Sequence, residues 1–270
     1  MIFRILFFVF CFTPFMLVGI PIQFVWSRLR LPGWNLLPRL FHKFGAVFLG
    51  LKITVLGKPA AGRPTLIVSN HISWTDIIAV GAVADVTFVA KQEVGRWPFV
   101  GFMASLQRTL YVDRNRRSDA RRTTREMARR MADGGAVLLF AEGQSDIGTH
   151  VLPFRSALIG AAQHAMQEAG ARDVLIQPLT IAYTRLQGLP VGRTDRTLIA
   201  WIKSKSVKEN IREILTGGVK EVTLAFGTPR ALAPGADRKQ VAKDAEVAVR
   251  RMLVALNRGE PLPPELAPAK

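Results

Sequence analysis

A histidine and an aspartate five residues apart have side chains that could work together in acid–base chemistry. His71 and Asp76 follow an apolar run at 65–68, which is typical of a buried strand. Ser73 and Asp76 have the spacing of a capping box, which predicts a helix from Trp74 and places His71 in the turn before it. This turn lets the carboxylate accept a hydrogen bond from one imidazole nitrogen, while the other nitrogen can take a proton from a bound hydroxyl.

The simpler alternative is that Asp76 only caps the helix and that His71 is an ordinary loop histidine. Asp76 is the first acidic residue of the chain, after 75 residues whose charged side chains are all basic. The pairing interpretation gains further weight from a second turn of the same kind.

That second turn follows the predicted strand 136–141 and reads Glu142-Gly143-Gln144-Ser145-Asp146. Gly143 permits a close approach of the backbone to a ligand, and Glu142 could hold a substrate hydroxyl or amine. The alternative is a structural turn whose acids face water. A nucleophile elbow, Gly-x-Ser-x-Gly, is not formed because the next glycine falls one residue late, at Gly148. Direct transfer with His71 as the base therefore fits better than a covalent hydrolase.

The two turns together resemble a known family. Asn70-His71-x4-Asp76 resembles the signature of the glycerolipid acyltransferases, which include the lysophosphatidic acid acyltransferases. The stretch 140–144, Phe-Ala-Glu-Gly-Gln, resembles the family's second block, Phe-Pro-Glu-Gly-Thr, with Pro and Thr replaced. The stretch 176–181 resembles its closing strand block, so that the resemblance covers about residues 50–230.

The resemblance implies one displacement without cofactor or metal. His71, oriented by Asp76, would deprotonate an acceptor hydroxyl as it attacks a thioester, and backbone N–H groups at the helix start would stabilise the oxyanion. Arg114 matches a family arginine that contacts the anionic head of the acceptor. The implied substrate-binding residues are Asn70, Arg114, Glu142, Gly143, Gln144, Ser145 and Asp146. The implied donor is a thioester on acyl carrier protein or coenzyme A, and the implied acceptor is a lyso-lipid.

The residues after Glu142-Gly143 indicate which branch of the family the chain resembles. Members with phosphate-headed acceptors usually carry an arginine there, whereas this chain has Ser145 and Asp146. A carboxylate would repel a phosphate but attract an amine, and the segment resembles the lyso-ornithine lipid acyltransferase branch. We therefore expect Asp146, with Glu142, to face the ornithine amine. The alternatives are a 1-acyl-glycerol-3-phosphate acyltransferase and, from a different class, a non-enzymatic basic membrane adaptor.

The charge of the chain indicates a polyanionic partner. The net charge is +17 and the isoelectric point is about 11.1. We expect an anionic membrane surface or an acidic carrier protein, because no aromatic interleaving or recognised nucleic-acid fold supports nucleic acid. A single cysteine, Cys11, excludes an internal disulfide, and four histidines without ligand spacing argue against a metal. The densest basic stretch comprises Arg108, Arg114, Arg116, Arg117, Arg121, Arg122, Arg125, Arg129 and Arg130.

The first 50 residues are predicted to be a membrane anchor. Residues 5–26 are uncharged and almost wholly apolar, and a straight helix of that length would span roughly 33 Å, enough to cross a bilayer. Pro14, Gly19 and Pro21 leave a bent hairpin in one leaflet as the alternative. Residues 28–48 mix basic with aromatic side chains, which indicates an interfacial helix. We expect the inner, cytoplasmic membrane of a bacterial cell, with the catalytic domain on the cytoplasmic side.

The remaining chain is predicted to be α/β, a largely parallel sheet covered by helices and preceded by the membrane-associated helical segment. Residues 51–257 would form the acyltransferase domain, and the Pro-rich tail 258–270 would be disordered. The predicted strands are 52–56, 65–68, 86–90, 109–112, 136–141, 174–182, 197–203 and 221–226. The predicted helices are 74–83, 98–106, 118–132, 155–169, 207–215 and 237–256.

Overall fold

The structure is a computed structural model, and its description covers most of the chain. The described residues are 2–29, 31–60, 62–112, 125–127, 129–131, 135–157, 159–160, 163, 174–233 and 235–267. The strands are β1 Leu51–Leu56, β2 Thr65–Ser69, β3 Val86–Lys91, β4 Leu110–Val112, β5 Ala136–Phe140, β6 Leu175–Leu186, β7 Leu189–Pro190, β8 Lys220–Phe226 and β9 Arg230–Ala231. The helices are α1 Ile2–Phe7, a π-helical turn Phe8–Phe12, α2 Thr13–Leu29, α3 Leu36–Leu49, α4 Thr75–Val83, α5 Gln92–Gly95, α6 Pro98–Leu106, α7 Arg193–Ile199, α8 Val207–Thr216 and α9 Arg238–Arg258.

The described strands form one mixed sheet. Its order is β1-β8-β6-β2-β5-β3-β4, and β7 and β9 pair with β6. β2 lies at the centre and is parallel to both of its neighbours, β5 and β6. β6 and β8 are antiparallel, as are the short pairings of β7 and β9 with β6. The predicted α/β fold with a largely parallel sheet is therefore confirmed.

Helices cover both faces of the sheet, which explains why its central strands are continuous apolar runs. All five residues of β2 are buried. One core joins β2 and β5 to α9, and a second core on the other side of the sheet joins them to α3, α4 and α8. A parallel strand that is buried on both faces carries apolar side chains on both, and it therefore appears in the sequence as a continuous apolar run such as 65–68.

Two of the predicted elements are wrong. The segment 197–203 alternates like a strand, but Arg193–Ile199 is a helix. Asp195 accepts a hydrogen bond from the Gly192 N–H at the start of this helix, and that local cap outweighs the apolar alternation. The tail is not disordered up to residue 267, because Leu266 is buried beside α9. Most residues of the predicted helices 118–132 and 155–169 lie outside the described residues. The residues that are described within these two segments are helical at 125–127, 129–131, 156–157, 159–160 and 163.

The N-terminal apolar segment forms one long helical stretch that packs antiparallel to α3. Ile2–Leu29 is long and apolar enough to cross a membrane by length and composition. It continues through Pro21 without forming the hairpin that the prolines had suggested. Instead, the long helical stretch and α3 form a helical hairpin. Aromatic rings pack between them, with Phe8 against Phe48 and Phe12 against Phe41.

Candidate active site

The turn that ends β2 brings His71 and Asp76 together as the sequence predicts. The imidazole Nδ1 of His71 lies 2.9 Å from Oδ2 of Asp76. Asp76 is fully buried in the first turn of α4, whereas the His71 side chain keeps 16% of its surface exposed. No residue in the described ranges hydrogen-bonds to Nε2 of His71. The imidazole is therefore anchored through one nitrogen and presents the other.

The carboxylate of Asp76 accepts hydrogen bonds from three groups in addition to His71. Its Oδ2 also accepts hydrogen bonds from the backbone N–H groups of Ile72 (2.7 Å) and Ser73 (3.0 Å). Its Oδ1 accepts one from the hydroxyl of Tyr183, at 2.9 Å. A buried carboxylate with four donors has a fixed position, and it fixes the orientation of the ring that it holds.

The backbone at the start of α4 is committed to other bonds. The N–H groups of Ile72 and Ser73 donate to Asp76, and those of Asp76 and Ile77 donate to the carbonyls of Ser73 and Trp74. These four groups are therefore occupied, and the geometry does not favour the predicted oxyanion role for them. Half of the predicted capping box is present: Asp76 accepts from Ser73 N–H, while the buried Ser73 hydroxyl has no hydrogen-bond partner within the described part of the chain.

Two aromatic residues complete the surroundings of the pair. The ring of Phe140, the last residue of β5, stacks on the His71 ring, with centroids 4.0 Å apart and an interplanar angle of 20°. Tyr183 is fully buried, and its hydroxyl lies 2.6 Å from the hydroxyl of Thr75. Burial, followed by the nearby charge of Asp76, raises the pKa of Tyr183 well above its usual value, so that the hydroxyl remains a donor. Sequence reasoning gave no role to either ring.

Glu142 faces the backbone of both turns. One carboxylate oxygen accepts the N–H of His71 and the other accepts the N–H of Leu152, each at 2.7 Å. The side chain is 3% exposed, which favours a role in positioning His71 over the predicted substrate contact. Glu142 thus ties the second turn to the catalytic turn.

The protonation of Glu142 should make the stability of the fold depend on pH. Burial raises the pKa of Glu142 to about 8; its two backbone hydrogen bonds lower it only in part, and the charges of Asp146 and Asp76 add to the rise. The unfolded value is about 4.3. Folding therefore favours the protonated form, and the contribution of this group is fully present below about pH 4.3 and is lost as the pH rises through about 8.

We expect Glu142→Gln, which cannot ionise, to flatten the fall in the free energy of unfolding between mildly acidic and mildly basic pH. Denaturant unfolding at a series of pH values measures that slope. Glu93→Gln alters an exposed carboxylate and should keep the wild-type slope. An unchanged slope in Glu142→Gln would show that Glu142 titrates normally.

The second turn reaches the first one through its backbone. The N–H of Asp146 donates to the carbonyl of His71 at 2.9 Å, and Gly143 adopts a φ of 73°, which a glycine accommodates without strain. The Ser145 hydroxyl donates to the carbonyl of Trp201. Gln144 lies beside them, half-buried. Glu142 and Asp146 thus bond directly to the backbone of His71, and Ser145 is linked to the catalytic turn through Trp201.

Asp146 has one carboxylate oxygen without a hydrogen-bond partner among the described residues. That oxygen, Oδ2, is inaccessible to solvent, and Nδ1 of His150 lies 3.6 Å from it. The His150 side chain is 59% exposed. A buried carboxylate oxygen favours a positively charged donor, which agrees with the predicted preference for an amine.

The two remaining predicted substrate-binding residues are Asn70 and Arg114. Asn70 is 1% exposed and its amide makes both of its bonds with the backbone of Ile181 in β6, which favours a structural role. Arg114 lies outside the described residues. Within the described ranges, no group of three or more His, Cys, Asp or Glu side chains is placed to hold a metal ion.

Comparison with known proteins identifies the family. The acyltransferase family model matches residues 52–182. A lyso-ornithine lipid O-acyltransferase of Brucella abortus (strain 2308) is 42% identical over 245 residues, which are 90% of this chain and 91% of the relative. The crystal structure of a 1-acyl-sn-glycerophosphate acyltransferase from Thermotoga maritima has the same fold, with a TM-score of 0.63 at 22% identity over 94% of this chain and 95% of that one. The chain belongs to the acyltransferase family, as predicted, and is an enzyme of acyl-group transfer.

Two further relatives differ in how much of the chain they match. A lyso-ornithine lipid O-acyltransferase of Rhizobium meliloti (strain 1021) is 36% identical over 90% of this chain and 83% of the relative. A 1-acyl-sn-glycerol-3-phosphate acyltransferase of Neisseria gonorrhoeae is also 36% identical, but over 48% of this chain and 49% of the relative. The similarity to the lyso-ornithine lipid enzymes thus extends beyond the domain that both groups share.

Proposed function

We propose that this protein transfers a fatty acyl chain from a thioester donor to the hydroxyl of a lyso-ornithine lipid and so forms ornithine lipid. The observation that carries the proposal is the His71–Asp76 pair at 2.9 Å, in a chain that matches two lyso-ornithine lipid O-acyltransferases over 90% of its length. A basic membrane adaptor would need the charge but has no use for a buried His–Asp pair.

In the proposed reaction His71 acts as the general base. Its Nε2 takes the proton of the acceptor hydroxyl while the oxygen attacks the thioester carbonyl and forms the new C–O bond. The C–S bond then breaks, and the departing thiolate takes the proton back from the imidazolium. Asp76 keeps Nδ1 protonated and stabilises the positive charge that develops on the ring. Acyl carrier protein and coenzyme A would both supply the thioester, and the excess of basic side chains suits either anionic donor.

The Oδ2 oxygen of Asp146, which accepts no hydrogen bond from the described residues, supports an acceptor with an amine. The ammonium of the ornithine head would satisfy the buried oxygen, whereas a phosphate would be repelled by it. Asp146 lies next to the catalytic turn, since its N–H bonds to the carbonyl of His71. We therefore assign the head-group preference to Asp146, with Glu142 holding the turn that carries it.

We expect Asp146→Asn to raise KM for lyso-ornithine lipid about tenfold or more, because a charge-assisted bond is lost. The test is an acyl-transfer assay in which lyso-ornithine lipid and lysophosphatidic acid are offered side by side. Asp244→Asn removes an exposed carboxylate on α9 and should behave as wild type. A wild-type preference for lysophosphatidic acid would instead favour the glycerol-phosphate function, and an unchanged KM would remove the role of Asp146.

We also propose that residues 1–50 anchor the 51–257 domain in one leaflet of the membrane. The long helix is held at two points: Arg4 donates to the carbonyl of Phe48 in α3, just before β1, and Gln23 donates to that of Leu106 in the domain, before β4. β1 and β4 are the outer strands of the sheet order. About 28 Å of helix separates Arg4 from Gln23, close to the width of about 29 Å that seven strands occupy. The helix therefore lies along the domain rather than projecting from it.

A one-leaflet anchor places the N-terminus on the same side of the membrane as the catalytic domain. We expect an N-terminal tag and a C-terminal tag to be cleaved by protease together in inverted vesicles of a bacterial inner membrane, which expose the cytoplasmic side. Right-side-out vesicles are the control and should protect both tags. Cleavage of the N-terminal tag alone in right-side-out vesicles would show a spanning helix instead.

A further inference from the structure

The helix α6 presents a cluster of apolar side chains to solvent. Phe99, Val100 and Phe102, which we call the α6 patch, are 58%, 44% and 41% exposed. Exposed apolar side chains that are scattered singly are normal, but three within four consecutive positions mark a surface that meets another apolar phase.

The α6 patch continues the apolar surface of the N-terminal anchor. Gln23 of α2 donates to the carbonyl of Leu106, the last residue of α6, at 2.9 Å. An open, shallow groove lies between α2, α3 and α6. Its apolar lining includes Phe15, Met16, Ile20, Leu37, Phe41 and Met103. Exposed Arg28 lies in the last turn of α2 and exposed Arg96 shortly before α6, and such basic side chains suit anionic lipid head groups.

The start of α6 also lies next to the catalytic turn. The ring of Trp97, the residue before α6, packs against that of Trp201 with centroids 5.8 Å apart. The N–H of Trp201 donates to the carbonyl of Ile72 at 3.0 Å, and its carbonyl accepts the hydroxyl of Ser145. One side chain, Trp201, thus separates the start of α6 from the residue that follows His71.

We propose that the α6 patch inserts into the lipid bilayer and forms the entrance through which a lyso-lipid acceptor reaches His71. This inference rests on the proposed function for the identity of the acceptor. An acceptor that approaches beside an inserted helix keeps its acyl chain in an apolar environment, whereas one that crosses water exposes the whole chain. The bilayer is the occupant because the patch is continuous with a membrane-length helix and exposed Arg96 lies shortly before it in the chain.

The test uses the full-length protein with vesicles of phosphatidylcholine and phosphatidylglycerol in equal parts. We expect the triple variant Phe99→Ser, Val100→Ser, Phe102→Ser to acylate vesicle-embedded lyso-ornithine lipid at about one tenth of the wild-type rate or below. With a short-chain lyso-ornithine lipid dissolved as monomers, which does not enter from a bilayer, its rate should stay near wild type. The matched control, Val247→Ser with Val254→Ser, alters exposed valines on α9, on the other face of the sheet, and should match wild type with both acceptors.

A second measurement reports insertion without any acceptor. A fluorophore sensitive to polarity is attached in the variant Cys11→Ser, Phe99→Cys, and we expect its emission to rise and shift to the blue when the vesicles are added. The same fluorophore at Val254→Cys should not respond. An absent shift at position 99, or an equal loss of rate with the vesicle-embedded and the monomeric acceptor, would overturn the proposal. If the wild type acylates lyso-ornithine lipid in neither form, the proposed function fails, while the fluorescence still decides whether the patch enters the bilayer.

Discussion

Replacing His71 with alanine is expected to lower kcat by about 10²–10⁴-fold, which is the usual contribution of a positioned general base. His71 is the partly exposed member of the pair, and its Nε2 is the nitrogen that Asp76 leaves open. The loss should appear in kcat rather than in KM, because the proton is transferred in the transition state and not on binding. A single-turnover acyl-transfer assay with a saturating acceptor measures it.

The control for His71→Ala must separate chemistry from folding. The alanine removes a ring that stacks on Phe140, so thermal unfolding should be measured alongside the activity. His71→Gln retains a polar side chain of similar length and should also be inactive, since an amide cannot take up the proton. Wild-type kcat in either variant, with the fold intact, would assign the base to another residue.

The catalytic turn could be predicted because its information is local. His71, Asp76 and the cap at Ser73 lie within six residues, and the run at 65–68 marks the strand that delivers them. The pairing follows from the geometry of a turn that enters a helix. The local residues therefore suggest the pairing, which the structure shows as a 2.9 Å contact, while the second turn is needed to prefer it over a simple helix cap.

The surroundings of the turn could not be predicted in this way. Tyr183 lies 107 residues after Asp76 and reaches it only because β6 pairs with β2 in one register, with Leu179 opposite Ser69. Nothing in the sequence around Tyr183 states that register. The orientation of a buried carboxylate also depends on residues distant in the sequence. Glu142 was expected to face a ligand, but its oxygens accept the N–H groups of His71 and Leu152.

Replacing Asp76 should separate the effect of its negative charge from its role as a hydrogen-bond acceptor that holds the turn together. We expect Asp76→Asn to lower kcat by about 10²–10⁴-fold with little loss of stability. The asparagine oxygen can still accept from the two backbone N–H groups, and the Tyr183 hydroxyl can turn to accept from the new amide. The variant therefore keeps its fold but no longer offers the negative charge that stabilises an imidazolium at His71.

Asp76→Ala gives the complementary result. It leaves two buried donors, the N–H groups of Ile72 and Ser73, without an acceptor, whereas the Tyr183 hydroxyl can turn to donate to Thr75. Each costs about 1–3 kcal/mol, so this variant should lose stability as well as activity. Tyr183→Phe keeps the carboxylate charged and should retain most of the wild-type kcat. Thermal unfolding and kcat for the three variants decide the matter, and a fully active Asp76→Asn would show that the buried carboxylate serves the fold rather than the reaction.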